Sequence, residues 1–197
     1  MSLRLATRII KYKQKLQQNA GLLMYKKFST IKNDSTSVNF EDLELKEKAY
    51  GYQLEATELL NNGNFSEALE LYTKANNIYS SGTILYNIGH CDIDGALEFW
   101  EKSIVFMPSE ADVHLNLANA YFLNKKNSEK AIEHLKVASS LSPNDGEIAY
   151  NFGCILDASG KLDEAIQQYN IALKNGIEKA SVNIRNASIK MASANKS

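Results

Sequence analysis

The segment Ala131-Ile-Glu-His-Leu-Lys-Val-Ala138 begins and ends with alanine and carries a large apolar residue, Leu135, four positions after the first. The same order of small, large apolar and small residues begins at Ala68, Ala96 and Ala165, and the successive intervals are 28, 35 and 34 residues. A period of this size is typical of stacked supersecondary units, which present an extended surface for binding. The pattern therefore favours a binding function over a catalytic one.

A second recurring feature lies upstream of each of these alanines. It is a pair that ends in a very small residue, namely Glu55-Ala56, Ile88-Gly89, Leu117-Ala118 and Phe152-Gly153. Apolar positions around it recur at spacings of three and four, which indicates amphipathic helices. Turn compositions such as Ser159-Gly160 separate the two halves. Each unit is therefore predicted to be two antiparallel helices, with the small residues where the backbones pass closely.

These positions resemble the tetratricopeptide repeat family. The resemblance rests on Leu117-Ala118, Tyr121, Ala131, Ala138 and Pro143 in the third unit, and on Phe152-Gly153, Ala165, Tyr169 and Ala172 in the fourth. It implies an all-α, right-handed superhelical solenoid of about four helix-turn-helix repeats, at about residues 49–81, 82–110, 111–145 and 146–177. Residues 178–193 are predicted to form a capping helix, which a solenoid needs at its end.

The second unit is shorter than the others. Only 7 residues separate Gly89 from Ala96, whereas 12 or 13 separate the equivalent positions elsewhere. One interpretation is a truncated first helix that still packs in the stack. The other is a notch in the wall of the binding groove that is shaped for a partner.

The N-terminal segment differs in charge from the rest of the chain. Residues 1–28 hold seven basic residues and no acidic one, so this segment carries +7 and the remainder −8. On a helix Arg4, Arg8, Lys11 and Lys15 would form a cationic face beside an apolar one. This composition predicts a mitochondrial presequence over residues 1–28, followed by a flexible linker at 29–40 and the repeat domain at 41–193.

Lys26-Lys27-Phe28-Ser29 resembles matrix-protease sites with a basic residue two positions before the cut, which predicts cleavage between Phe28 and Ser29. The alternative is a basic amphipathic arm that stays attached and touches a membrane surface or a partner.

The residues of common catalytic and metal sites do not occur in the usual patterns. Cys91 and Cys154 have no paired spacing, and His114 and His134 stand alone in the sequence. The chain lacks a phosphate-binding loop, a nucleophile elbow and a convincing triad. We therefore expect no enzyme activity, metal, cofactor or small-molecule substrate. Nucleic acid is not expected as a partner either, because the repeat region is net negative with Arg185 as its one arginine.

An asparagine precedes the apolar-small pair in three units, as Asn87, Asn116 and Asn151. The family resemblance implies that this helix face lines a concave groove, where an asparagine grips an extended peptide backbone. The candidate groove residues are Tyr86, Asn87, His90, Asn116, Asn119, Tyr150 and Asn151. The alternative role for the asparagines is structural, as bridges between neighbouring helices.

The sequence thus predicts a non-enzymatic mitochondrial adaptor or assembly factor, in the matrix or on the matrix side of the inner membrane. Its groove would bind peptide or helical segments of a mitochondrial complex, with peripheral membrane association left open. The alternatives are a receptor-like module on a membrane surface and a cytosolic scaffold. A heat-shock co-chaperone is disfavoured, because acids and neutral residues stand where a carboxylate clamp needs cations. These residues are Gln53, Thr57, Asp112, Asn116, Glu147 and Asn151.

Overall fold

The computed structural model describes residues 40–92 and 94–194, and the regular structure within these ranges is entirely α-helical. The helices are α1 (Phe40–Asn61), α2 (Phe65–Ile78), α3 (Gly82–Cys91), α4 (Ala96–Phe106), α5 (Ala111–Lys125), α6 (Ser128–Leu141), α7 (Gly146–Ala158), α8 (Leu162–Lys174) and α9 (Ala180–Ala194). The prediction of an all-α fold is confirmed for these residues. The predicted presequence and its cleavage position between Phe28 and Ser29 lie outside the described residues.

The helices pack mainly on their neighbours along the chain. The pairs α3–α4, α5–α6 and α7–α8 are in close contact, and α2–α3, α4–α5 and α6–α7 join one pair to the next. In the first pair, the hydroxyl groups of Thr57 on α1 and Tyr72 on α2 share a hydrogen bond of 2.8 Å. The last helix, α9, packs on α8 and buries Ala180 and Ala187. Contacts made mainly between neighbouring elements are typical of a solenoid.

Helix α1 begins at Phe40, nine residues before the predicted start of the first repeat. Lys46 forms an i,i+4 ion pair with Asp42 at 2.6 Å, which supports the additional turns. The Lys46 ammonium also lies 5.0 Å from the centre of the Tyr79 ring, just beyond α2. The additional turns therefore pack against the first repeat.

Two of the small residues on first helices face a large side chain on the second helix of their unit. In the second unit, a Cβ added to Gly89 would overlap the Trp100 indole, and in the fourth a Cβ on Gly153 would overlap the Tyr169 ring. In the third unit Ala118 and Leu135 are both fully buried in one core cluster. The small residues are thus needed because a large residue fills the space beside them.

The buried core is divided into two clusters. The smaller one holds Ala49, Ala56, Ala68, Tyr72, Ala75, Ile84 and Ile88, all from α1, α2 and α3. The larger one is built from α5 to α9 and extends from Val113 to Ala180. Helix α4 lies between them, with Trp100 packed against the larger cluster and Phe99 against the smaller. This helix therefore connects the two parts of the core.

The deletion in the second unit falls on its first helix. Helix α3 has 10 residues, whereas α5 has 15 and α7 has 13. After α3 ends at Cys91, the Asp92 carboxylate accepts a hydrogen bond of 3.1 Å from the Gly95 amide. This bond connects the end of α3 directly to the start of α4, so a short connection replaces the missing turn.

The turn between α5 and α6 holds a strained residue. Lys126 adopts a left-handed conformation, with φ 50° and ψ 33°, whereas in the corresponding turns the positive φ falls on glycine, at Gly63 and Gly160. A side chain in this region costs about 1–2 kcal/mol. We expect Lys126→Gly to raise the free energy of unfolding by about 0.5–1 kcal/mol, because glycine avoids this cost but loses more entropy on folding. Urea unfolding followed by circular dichroism would measure the change.

The matched control for this substitution is Lys125→Gly. Lys125 is the last residue of α5, and glycine in a helix is about 1 kcal/mol less favourable than a good helix former. The two neighbouring substitutions should therefore have opposite signs. Destabilisation by both would show that Lys126 is not strained in solution.

Candidate functional site

Three of the candidate groove residues form one cluster between α3 and α5. The Asn116 side-chain amide on α5 donates a hydrogen bond of 3.0 Å to the Tyr86 hydroxyl and lies 3.3 Å from His90 Nε2, both on α3. The rings of Tyr86 and His90 meet edge to face, with their centres 4.6 Å apart. We call Tyr86, His90 and Asn116 the groove cluster. It shows Asn116 in a bridging position between the first helices of two successive units.

Trp100 supports this cluster from the second helix of its own unit. Its indole Nε1–H donates a hydrogen bond of 3.1 Å to the Tyr86 carbonyl, and its ring centre lies 5.5 Å from that of His90. The same indole fills the space beside Gly89. The position of His90 thus depends on a helix packing contact, which fixes the side-chain geometry of the site.

The electrostatics of the groove cluster favour uncharged side chains at neutral pH. Burial raises the pKa of Tyr86, the negative charge of Asp112 raises it further, and the hydrogen bond from Asn116 lowers it. His90 keeps an exposed edge, but its packing against neighbouring rings removes water and lowers its pKa. The negative charge of Asp112 has a smaller effect and raises this pKa. The cluster is therefore a neutral polar surface next to one carboxylate.

The remaining candidates do not join this cluster. On α7 the Asn151 amide donates to the Glu147 carbonyl of its own helix at 2.8 Å. Tyr150 lies against Tyr169, with ring centres 5.9 Å apart. Asn87 and Asn119 are half-buried, and within the part of the chain that the structure describes neither makes a side-chain hydrogen bond.

The turn just before α9 contributes a lysine to this surface that the sequence alone did not single out. The Lys179 ammonium lies 4.1 Å from the centre of the Tyr150 ring and 3.6 Å from a carboxylate oxygen of Glu147. A second ion pair, Lys190–Asp157 at 2.6 Å, joins α9 itself to α7. The only sequence signal was the pair of lysines on the predicted cap, which gave no indication of their partners.

Two histidines that stand alone in the sequence lie together in the structure. His114 Nδ1 on α5 is 3.1 Å from His134 Nδ1 on α6, and His114 Nε2 is 3.1 Å from the Pro108 carbonyl. Because a carbonyl only accepts, His114 donates from Nε2, and in its neutral form it accepts at Nδ1 from His134. The His134 ring also stacks on Tyr121, with centres 5.6 Å apart. The pair thus connects the two helices of the third unit.

His134 should make the fold sensitive to acid. Burial and the adjacent His114 lower the pKa of His134 below its ordinary value of 6.5, with smaller effects from Glu133, Lys130 and Glu101. A base whose pKa is lowered by folding binds fewer protons in the native state, so its stabilisation is lost as pH falls below the unfolded value. We expect the free energy of unfolding to fall as the pH is lowered from 7.5 to 5, and to fall less steeply in His134→Gln. Urea unfolding at each pH would measure both slopes.

The lowered pKa of His90 also makes the free energy of unfolding fall as the pH falls. His90→Gln is therefore measured as well, as a comparison variant in which the other histidine with a lowered pKa is removed. Equal slopes for the unmodified chain and His134→Gln would show that His134 does not titrate as described.

A cleft of about 610 Å³ opens next to the short α3–α4 connection. Its lining residues are Asp94, Gly95, Leu97, Glu98, Glu101, Tyr121, Asn124, Lys125, Asn127 and Lys130. Across it the Tyr121 hydroxyl donates to the Glu101 carboxylate and accepts from Lys130 at 3.3 Å. The cleft is thus lined by α4, the end of α5 and the start of α6, and none of the candidate groove residues lines it.

Comparison with known proteins agrees with this geometry. The family model of the tetratricopeptide repeat matches residues 111–145 and 146–174, which hold the pairs α5–α6 and α7–α8. These two units are therefore tetratricopeptide repeats. No curated protein matches the chain.

Solved structures show the same fold over most of the chain. The MamA protein is 24% identical, with a TM-score of 0.66 over 72% of this chain and 81% of that one. YrrB, described as a TPR protein with an unusual peptide-binding site, is 24% identical, with a TM-score of 0.66 over 75% of this chain and 79% of that one. MamA residues 41 to the end from Desulfovibrio magneticus RS-1 are 20% identical, with a TM-score of 0.66 over 74% and 86% of the two chains. The fold is thus a tetratricopeptide-repeat solenoid, and this prediction is confirmed.

Proposed function

We propose that this protein is a non-enzymatic adaptor or assembly factor that binds a peptide or helical segment of a partner protein. The binding surface is the groove formed by the first helices α3, α5 and α7. The observation that carries this proposal is the groove cluster, which places hydroxyl, imidazole and amide groups of two successive units within hydrogen-bond distance. The fold itself suits protein–protein interaction, and one structural neighbour is described as having a peptide-binding site.

The groove asparagines provide the test of this binding surface. Purified full-length protein carrying Asn116→Ala and Asn151→Ala should capture a partner segment at least about tenfold more weakly, because two backbone contacts of about 1 kcal/mol each are lost. The segment would come from a random peptide library selected on the unmodified protein, with affinities measured by fluorescence anisotropy. Asn170→Ala is the control, since Asn170 on α8 is exposed and bonds within its own helix in the same way as Asn151.

The thermal unfolding of the double variant separates binding from structure. Unchanged unfolding with weaker capture supports a direct contact. Unchanged capture would assign both asparagines to helix packing alone.

The proposed place of action is the mitochondrion, in the matrix or on the matrix side of the inner membrane. The support is the composition of residues 1–28, with seven basic residues and no acidic one. Among the described helices, none combines the length and the apolar character needed to cross a membrane. Protease protection in isolated mitochondria would separate import from surface attachment, and a tagged chain without residues 1–28 would test whether this segment directs localisation.

A further inference from the structure

The side chains of the groove face present hydrogen-bond acceptors. The amide nitrogen of Asn116 is used within the groove cluster, and that of Asn151 is used by the Glu147 carbonyl. Their oxygens accept no hydrogen bond from any described residue, and neither is among the buried oxygens without a partner. Both oxygens therefore keep some exposed surface that a donor can reach.

A carboxylate precedes each of these asparagines by one helical turn. Asp112 stands four residues before Asn116, and Glu147 stands four residues before Asn151, so each pair shares a helix face. An ionised carboxylate only accepts hydrogen bonds. We call Asp112, Asn116, Glu147 and Asn151 the acceptor face. It repeats at an interval of 35 residues in the two units that match the family model.

One half of the acceptor face already holds a cation from this chain. The Lys179 ammonium lies 3.6 Å from Glu147 and 4.1 Å from the centre of the Tyr150 ring. An ammonium group over a tyrosine ring and beside a carboxylate is a favourable arrangement. This half of the acceptor face thus accommodates a positively charged side chain.

The other half has the same kinds of groups. Asp112 is exposed and lies close enough to Tyr86 and His90 for its charge to act on both. In the described part of the chain no lysine or arginine forms an ion pair with Asp112, and the Asn116 oxygen is available beside it. Among the described residues, then, none supplies a cation to Asp112, and the carboxylate is open to a cation brought by a bound segment.

Building on the proposed function, we propose that the groove selects partner segments that place an arginine or lysine side chain at Asp112. The cation pairs with the Asp112 carboxylate and donates a hydrogen bond to the Asn116 side-chain oxygen. Arginine suits this position best, because its guanidinium group can donate to both acceptors at once. The partner is thus a protein segment with a basic residue, and an acidic C-terminal tail is the chemistry that this groove rejects.

The test selects peptides from a random displayed library on the full-length protein and measures the best binder by fluorescence anisotropy. We expect arginine and lysine to be enriched at one position. Replacing that residue with citrulline should weaken binding roughly fivefold, as for one partly exposed ion pair. In Asp112→Asn the citrulline peptide and the arginine peptide should bind equally, whereas Glu70→Gln on α2 should keep the fivefold difference.

The outcomes distinguish this inference from the proposed function. Selected peptides without a basic preference, or a citrulline effect that persists in Asp112→Asn, overturn the cation assignment and leave peptide binding intact. A library that yields no binder at all overturns both. Far-UV circular dichroism of Asp112→Asn confirms that the variant folds, which is expected because Asp112 is an exposed residue in the first turn of α5.

Discussion

Replacing Ala165 with tryptophan should lower the free energy of unfolding by about 3 kcal/mol. Ala165 begins the recurring segment of the fourth unit and has no exposed surface, because α8 packs tightly on its neighbours at this point. An indole does not fit there without moving a helix, and overpacking of this kind costs about 1–3 kcal/mol or more. Urea unfolding followed by far-UV circular dichroism measures the loss.

The control for this experiment is Ala192→Trp on the exposed surface of α9. The same indole should have little effect on stability there, since surface substitutions usually lie within about 0.5 kcal/mol. If Ala165→Trp left the unfolding midpoint unchanged, the assignment of the recurring alanines to helix crossings would be wrong.

The same substitution, glycine to alanine, should have opposite effects at two helical positions. A Cβ on Gly153 in α7 would overlap the Tyr169 ring, whereas a Cβ on Gly51 in α1 has no described atom within 4 Å. We expect Gly153→Ala to destabilise the protein by about 1–3 kcal/mol through overpacking. Gly51→Ala should stabilise it by up to about 1 kcal/mol, because alanine is the better helix former.

Both glycine variants are measured by urea unfolding with the same protein concentration and buffer. The Tyr169 ring is fully buried, so it has little room to move away from a methyl group on Gly153. Stabilisation of the protein by Gly153→Ala would mean that α7 and α8 are further apart in solution than in this structure.

The fold could be predicted because it depends on features that are local in sequence. The period, the small residues at Gly89 and Gly153, and the turn residues determine where helices begin, end and cross. The short interval from Gly89 to Ala96 likewise indicated where the second unit has fewer residues than the other units. The start of α1 near Phe40 also has a local signal, because acidic residues come early and basic residues late in residues 41–48, as a helix start favours.

The side-chain partners of the groove could not be predicted in the same way. Asn87, Asn116 and Asn151 occupy the same repeat position, yet Asn116 bridges two helices and Asn151 bonds its own helix. The difference arises because Tyr86 and His90 extend from the preceding unit toward Asn116, whereas the equivalent positions before Asn151 hold Leu115 and Asn119. The contacts of Lys179 and the His114–His134 pair have the same origin, since their partners lie 20 or more residues away in sequence.

The divided core has a consequence for cooperativity. Stability in a linear array is the sum of local terms and of couplings between neighbours, so it is lowest where a coupling is weak. Helix α4 lies between the two clusters and contributes only Ala96 and Ser103 as buried residues. Helices α1–α3 should therefore unfold as one cooperative block and helices α5–α9 as another, and native-state hydrogen exchange would detect the two blocks separately. A ligand that contacts both Tyr86 and Asn116 spans this boundary, so binding would convert two folding units into one.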